Sequence, residues 1–592
     1  MSVEDGTEGQ VGRHGGLTAV VNGPEDEVLD WGSIDWPEVA GEVRRLRQRI
    51  FTASQEGDLK RVRGLQKLML RSRANALLSV RRVTEVNAGR KTAGIDGKVV
   101  VTGPGKAALA DRVRRLGSTG TAQPVKRVYI PKAGTGRQRP LGIPVIFDRA
   151  NQARVKNALE PEWEARFEAK SYGFRPGRGC HDAIEAIFNV ARGANPSRKW
   201  CLDADLAGAF DRIDHSKLLS HLGTFPAREQ IELWLKAGVV EQGRLAPTEE
   251  GTPQGGVISP VLLNVALHGM EAAAGVRYRL KGKQAGETMP GSPVLIRYAD
   301  DLVALCTTRE QAEQVKARLA EWLKPRGLAF NEDKTRIVHL DDGFDFLGFN
   351  IRRQSGKLLI KPSKAAIKRH RQRLRSEIRS LQGHNAMTVL QRLNPIIRGW
   401  AAYYRTVVSS ELFSALDRYL WRLLYKWAKR SHPKKSKHWI VNRYFGRFNK
   451  SRNDNWVFGD RDSGAHLVKH AWTRIVRHQM VKAGSSPDDP ALAEYWASRR
   501  RRAAPPPLDG SRLRLLQRQQ GACPACGELL LYADNPPQSP QEWEQWVRTM
   551  GKALSKRMVT LNQRGESDTS STLQLLHTSC LTRLTAQEAA GA

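Results

Sequence analysis

Cysteine is scarce: six in 592 residues are too few to frame a chain of this length with disulfides, and they fit a reducing compartment. Long hydrophobic runs are missing too. None approaches the roughly 18 apolar residues needed to span a bilayer, so no membrane partner is expected. No secretory signal is visible, and residues 1–30, rich in Gly, Glu and Asp, read as a disordered tail. Acidic charge is also in deficit, with 60 Asp and Glu against 96 Lys and Arg and a formal net charge of +36. Such an excess predicts an extended polyanionic partner and steeply salt-dependent binding. The length exceeds a single core and implies several domains.

Against that shortage the acidic clusters stand out. Tyr298-Ala299-Asp300-Asp301 lies between the runs Pro293–Arg297 and Leu302–Cys306, a strand–turn–strand pattern. Two carboxylates at one turn repel each other, and a bound divalent cation is the usual compensation. Upstream, Lys199–Asp205 reads as an apolar strand ending in Asp205, with small residues and then Phe210 five positions on. Asp203 shares the strand face of Asp205. Carboxylates supplied by separate strands suit two-metal nucleotidyl transfer, in which the ions sit about 4 Å apart.

On the run Asp205-Leu206-Ala207-Gly208-Ala209-Phe210-Asp211 and the Tyr-Ala-Asp-Asp turn, the chain resembles the reverse transcriptases, specifically those encoded by group II introns. The resemblance implies an α+β right-hand polymerase. Its fingers and palm would carry a ferredoxin-like antiparallel sheet, followed by an all-helical thumb or maturase domain and a small C-terminal domain. It implies Asp205 and Asp300 as ligands of two Mg²⁺ ions, with Asp301 supporting. Phe210 would lie under the sugar of the incoming nucleotide and exclude a 2′-hydroxyl, making the product DNA; the alternative is a plain core aromatic.

Further blocks follow in the family's order. Val128–Pro144 reads as two strands joined by a Gly-rich turn, with cations suited to a triphosphate. Arg139 is assigned first, Lys132 second, and Arg137 is a surface charge. Gly251–Pro260 resembles the family's Gln-Gly loop, where Gly255 and Gly256 admit a close backbone and Gln254 can hydrogen-bond the nucleotide. Tyr298 completes the substrate-binding set. Gly327–Thr335 resembles the motif whose lysine approaches the pyrophosphate, giving Lys334 the general-acid role; a lysine at a helix start is the bland alternative. Phe346-Leu347-Gly348-Phe349 resembles the primer grip. Ser171–Arg178 and Asn87–Gly97 extend the likeness, the latter as a template contact or as a structural loop.

Residues 361–460 hold 23 Lys and Arg against five Asp and Glu. Helices are expected over Lys361–Leu381, Met387–Tyr404 and Leu412–Lys429. Leu393–Arg405 resembles the maturase segment, implying RNA contacts for Arg398 and Arg405. Trp400, Tyr404, Trp421 and Trp427 either stack on bases or form a bundle core while the cations face RNA, and we adopt the core.

Arg499–Pro507 reads as a cationic then Pro-rich linker. Beyond it, Cys523, Cys526, His577 and Cys580 make the tail similar to an H-N-H endonuclease domain. That chemistry needs a histidine to activate water, yet Gly527–Leu576 contains none. The tail therefore reads as a degenerate nuclease fold that binds DNA without cutting it. The four residues either form a structural Zn²⁺ knuckle or are unlinked. Expected domains are the tail 1–30, an N-terminal extension 31–100, fingers and palm 101–352, thumb 353–460, a DNA-binding region and linker 461–507, and the nuclease-like domain 508–592.

The resemblance implies an RNA-directed DNA polymerase and maturase that binds its group II intron RNA and promotes its splicing. It would copy that RNA with deoxynucleoside triphosphates from a primer 3′ end at target DNA. It would work as a monomer or homodimer on the RNA, in a bacterial cytoplasm and associated with the nucleoid. The rivals are a related reverse transcriptase of a retron, diversity-generating or defence system, and a splicing factor without polymerase activity.

Overall fold

The computed structural model describes residues 30–585 except 118, 132–137, 253, 282–285, 450, 503–509, 526–529, 531–536, 561–570, 579 and 583. The expected tail 1–30, all but its last residue, and the site residues Lys132 and Cys526 lie outside the described residues.

Four helices open the fold: α1 (Trp36–Gln55), α2 (Leu59–Arg71), α3 (Arg73–Arg81) and α4 (Gly103–Leu116). Each starts where the sequence supplies a capping side chain: Asp35, Asp58, Ser72 and Thr102 accept a backbone N–H three residues on. Since α4 packs on α3, this helical unit runs past residue 100, where the sequence placed its end. The hairpin β1 (Val125–Pro131) and β2 (Gln138–Ile143) follows, then α5 (Ile146–Glu164). Helix α5 is buried along most of its length, which its charges survive by pairing: Glu160 with Arg47 at 3.0 Å and Glu162 with Arg63 at 2.6 Å.

The central sheet grows from α6 (Cys180–Ala191) and β3 (Trp200–Asp205), the short helices α7 (Ala209–Arg212), α8 (His215–Leu222) and α9 (Arg228–Lys236), and the strands β4 (Val239–Glu241) and β5 (Arg244–Ala246). It continues through α10 (Ser259–Ala266), α11 (Met270–Ala273), β6 (Val294–Tyr298), β7 (Asp301–Cys306), α12 (Arg309–Leu323) and β8 (Arg336–His339). Strands β4 and β5 join the first hairpin in the order β2-β1-β4-β5. The other four form an antiparallel sheet β6-β7-β3-β8, the strand order of a ferredoxin-like unit. Leu202, Leu295, Leu302 and Ala304 face one core; Cys201, Ile296, Val303 and Leu305 face another. This alternation of period two assigns Asp203, Asp205, Tyr298 and Asp301 to the second face.

A small sheet of β9 (Phe344–Phe346), β10 (Phe349–Gln354) and β11 (Lys357–Pro362) links the central sheet to the helices α13 (Lys364–Ser380), α14 (Ala386–Tyr404), α15 (Ser410–Ser431) and α16 (Lys437–Tyr444). The all-helical domain expected from residue 353 thus begins only at Lys364, because residues 353–362 complete a hairpin whose apolar side chains pack against α14 and α15. The paired strands β12 (Phe445–Gly446) and β13 (Val457–Phe458) close the bundle. Helix α17 (Ala493–Arg502) takes in Arg499–Arg502, read from sequence as linker; Arg499 donates to the Gln479 carbonyl at 2.6 Å. The tail holds α18 (Gly510–Arg518), α19 (Pro540–Ala553) and the hairpin β14 (Leu554–Thr560) with β15 (Ser571–His577). Among the described residues no helix is long and apolar enough to cross a membrane.

Candidate active site

The register of the central sheet builds the acidic centre. Asp205, last in β3, lies opposite Asp301, first in β7, and Asp301 in turn pairs with Tyr298. Opposed residues of an antiparallel pair project their side chains to one face about 5 Å apart. Asp300 occupies the turn between β6 and β7. Burial, then repulsion from Asp300 and Asp205, drives the Asp301 carboxyl far above the usual carboxylate range. Burial likewise raises Asp300, with Asp205 adding to it and Arg139 and Lys334 opposing. Asp203 is pushed up to about 6 by burial although Arg336 lies 3.4 Å away. Asp205, Asp300 and Asp301 together are a hard-oxygen donor set of the kind that suits a divalent cation, and the raised Asp300 and Asp301 are the two that burial and crowding disfavour as anions. Lys334 pairs with Asp205, and the loop bearing it is pinned where the Asn331 N–H donates to the Asp205 carbonyl at 2.8 Å.

The Ala299–Asp300 turn is held from beneath by residues to which the sequence reading gave no role. Ala299 has φ +57°, a left-handed conformation that costs a non-glycine residue roughly 1 kcal/mol or more. The buried Arg297 secures it, donating to the Ala299 carbonyl at 3.2 Å and to Asn264 at 2.9 Å; Asn264 donates to the Gly173 carbonyl at 2.9 Å. Gly173 lies so close that a Cβ there would come within 2.2 Å of the Ala299 nitrogen. Burial lowers Arg297 to about 10. Burial acts to raise its neighbour Glu168, yet hydrogen bonding to His268 and the charge of Arg297 bring that carboxyl down to about 2. The strap carrying Gly173 is clamped in turn by Arg175, whose guanidinium meets Glu164 at 2.9 Å and the carbonyls of Glu168 and Ser171 at 2.7 and 2.9 Å.

Three sequence blocks converge on the turn between β3 and α7. Phe210 is half-buried, and its carbonyl accepts the Thr252 N–H at 2.5 Å. The Gln254 carbonyl accepts from Gly142 of β2 at 2.8 Å, and Gly255, at φ +124°, sits where a Cβ would be 2.8 Å from the Gly142 carbonyl oxygen. Gln254 is half-buried and Arg139 is exposed on β2. Phe174, which sequence reasoning also missed, meets Phe210 edge-on, with centroids 6.1 Å apart and planes at 68°. It is 39% exposed and holds φ +61°, a further strained residue beside the site. Its sequence signal was the quoted Ser171–Arg178 block, which named no residue.

Tyr298 turns its hydroxyl to Gln538 of the C-terminal region, 3.2 Å away. In the helical domain Trp400, Tyr404 and Trp427 are buried, as the core reading requires, and Trp421 is partly so. Arg398 and Arg405 are half-buried, and burial lowers Arg405. Fuller exposure of cations is found on α13, where Lys364, Lys368, Arg371 and Arg375 line a groove of about 430 Å³ shared with α15. Among the described residues, the one group of three or more His, Cys, Asp or Glu whose ligand atoms all lie within 4.8 Å of one another is Cys523, His577 and Cys580.

Acidic residues on adjacent antiparallel strands, an aromatic beside them and the exposed Arg139 on the β1–β2 hairpin are the equipment of a nucleotidyl-transfer polymerase. Models of three families match the chain: "Reverse transcriptase (RNA-dependent DNA polymerase)" over residues 130–351, "N-terminal domain of reverse transcriptase" over 31–113, and "Group II intron, maturase-specific domain" over 367–445. Protein YkfC of Escherichia coli is 32% identical over 53% of this chain and 90% of its own. Group II intron-encoded protein LtrA of Lactococcus lactis is 31% identical over 40% of this chain. A 91 kDa protein in the cob intron of Schizosaccharomyces pombe is 27% identical over 48% of it. The chain belongs to the family of reverse transcriptases and maturases encoded by group II introns. The matches span about half the length of the LtrA and cob-intron relatives, 48% and 44%.

Proposed function

We propose that the protein binds its own group II intron RNA, promotes its splicing, and copies it into DNA from a primer at the target site. The observation that carries the polymerase half is the register that sets Asp205 against Asp301 with Asp300 in the adjoining turn. The right-hand assignment follows: the β1–β2 hairpin as fingers, the β6-β7-β3-β8 sheet as palm, and the helices from α13 onward as thumb. Asp205 and Asp300, supported by Asp301, are the residues to hold Mg²⁺; bound there, the ions neutralise charge on the reacting oxygens. Arg139 and Lys132 grip the triphosphate, Gln254 hydrogen-bonds the nucleotide, and Phe210 closes the space a 2′-hydroxyl needs. Lys334, already drawn to Asp205, is placed to give its proton to the departing pyrophosphate.

The α13 groove and the half-buried Arg398 and Arg405 supply the cationic surface for RNA. In the tail, Cys523, His577 and Cys580, with Cys526 as fourth ligand by sequence spacing, suit one structural Zn²⁺. Without a general-base histidine between them, the domain binds target DNA and does not cleave it.

The test is primer extension on an RNA template with Mg²⁺ and deoxynucleotides, wild type beside Asp300→Ala. Long cDNA from the wild type alone, with RNA affinity equal in both, is the expected result. Tight RNA binding without synthesis by either would leave a splicing factor.

A further inference from the structure

An H-N-H-like domain whose task is target DNA has no need to touch the polymerase centre, yet this one does. Gln538 lies beside the palm just before α19. Its side-chain oxygen accepts the Cys180 N–H at 2.6 Å and the Tyr298 hydroxyl at 3.2 Å. The palm makes room for it with a glycine: a Cβ on Gly179 would meet the Gln538 amide at 2.9 Å. Within ten residues the same segment grips the thumb. A Cβ on Gly399 of α14 would come within 2.6 Å of the Glu544 backbone nitrogen, so the two helices touch backbone to backbone. Glu544 is 6% exposed and pairs with Arg373 of α13 at 2.8 Å, while Arg548 donates to the Arg392 carbonyl at 3.3 Å. Trp543 packs against the cluster that holds Tyr403, Tyr404 and Phe349, the palm–thumb seam.

We propose that the segment Gln538–Ala553 is a working part of the polymerase: a brace joining palm to thumb, in which Gln538 is a positioning residue for Tyr298. Tyr298 immediately precedes the catalytic turn on the acidic face of the sheet, where a primer end has to lie. Holding its ring through the hydroxyl, and the thumb through α19, keeps the primer–template duplex seated between additions. The brace therefore governs how many nucleotides are added per encounter, more than the rate of each addition. The inference rests on the polymerase reading above.

The experiment uses the full chain in primer extension with excess heparin as a trap, reading mean cDNA length, alongside single-nucleotide addition reading KM for primer–template and kcat. Gln538→Ala is expected to shorten the product roughly three- to tenfold, the worth of a lost hydrogen bond, with KM rising more than kcat falls. Tyr298→Phe, which removes only the donor, shortens it comparably, and the double variant does no worse than either single. Glu544→Gln, loosening the thumb end, shortens the product in the same direction at an unchanged circular dichroism spectrum. Wild-type length from Gln538→Ala, or losses that multiply in the double variant, would overturn the inference. No cDNA from the wild type would overturn the polymerase reading itself, a result distinct from any change in length.

Discussion

Replacing Arg175 by methionine tests whether the strap under the catalytic turn is held by its buried ion pair. Arg175 and Glu164 each have 1% of their side chains exposed, and the guanidinium also satisfies two backbone carbonyls. Arg175→Met keeps the volume and leaves the Glu164 carboxylate buried without its cation, a loss of about 3–5 kcal/mol. At roughly 2–4 °C per kcal/mol for a domain of this size, the palm transition in scanning calorimetry should fall by about 6–20 °C. Removing the orphaned charge as well, in Arg175→Met with Glu164→Leu, should restore part of the loss, since an apolar pair costs less than a lone buried carboxylate. Both variants should also lose cDNA synthesis, because Gly173 no longer presses on Ala299. A shift under about 3 °C for the single variant, or no recovery in the double, would refute the clamp.

His181 sits at the same seam, its ring donating to the Tyr403 carbonyl at 2.7 Å, and burial followed by the charge of His478 lowers it to about 4. Folded His181 is then neutral where the unfolded chain takes up a proton below its ordinary value near 6.5. Stability should fall as pH drops from about 6.5 to 4, by about 3 kcal/mol in all; His181→Gln should flatten that dependence in melts, and an equal slope in both proteins would disprove it. Phe174→Ala, by freeing the edge of Phe210, should lower the preference for deoxy- over ribonucleotides roughly two- to tenfold. Unchanged selectivity would mean Phe174 does not brace the gate. Elemental analysis should find one zinc per chain, lost in His577→Ala; a zinc-free wild type would dispose of the knuckle.

The juxtaposition of Asp205 with Asp300 and Asp301 was legible because its signal is local: strand, turn and spacing lie within a few residues of Asp205 and of Asp300. The thumb helices were legible for the same reason, with periodicity placing Met387–Tyr404 where α14 runs from Ala386 to Tyr404. Arg297 was not, since within Pro293–Cys306 it reads as one polar residue in an apolar strand, and only the folded chain brings Asn264 and Gly173 to it. Gln538 carries no local signal at all; its partners lie 358 and 240 residues away. The start of the thumb was misjudged because β10 and β11 alternate charged and apolar residues in the same basic stretch that leads into α13.

Those separations also set a clock. Arg47 near the start, already paired with Glu160, takes Asp488, 441 residues on, as its second carboxylate, and Cys180 waits for Gln538. At roughly 5–20 residues per second, a ribosome needs about 20–90 s to deliver these partners. The palm therefore emerges and folds with its seam unsealed, and the polymerase is completed only by the last tenth of the chain. A message broken early would yield a palm in which Arg47 keeps Glu160 but lacks Asp488, and in which the Cys180 N–H lacks Gln538.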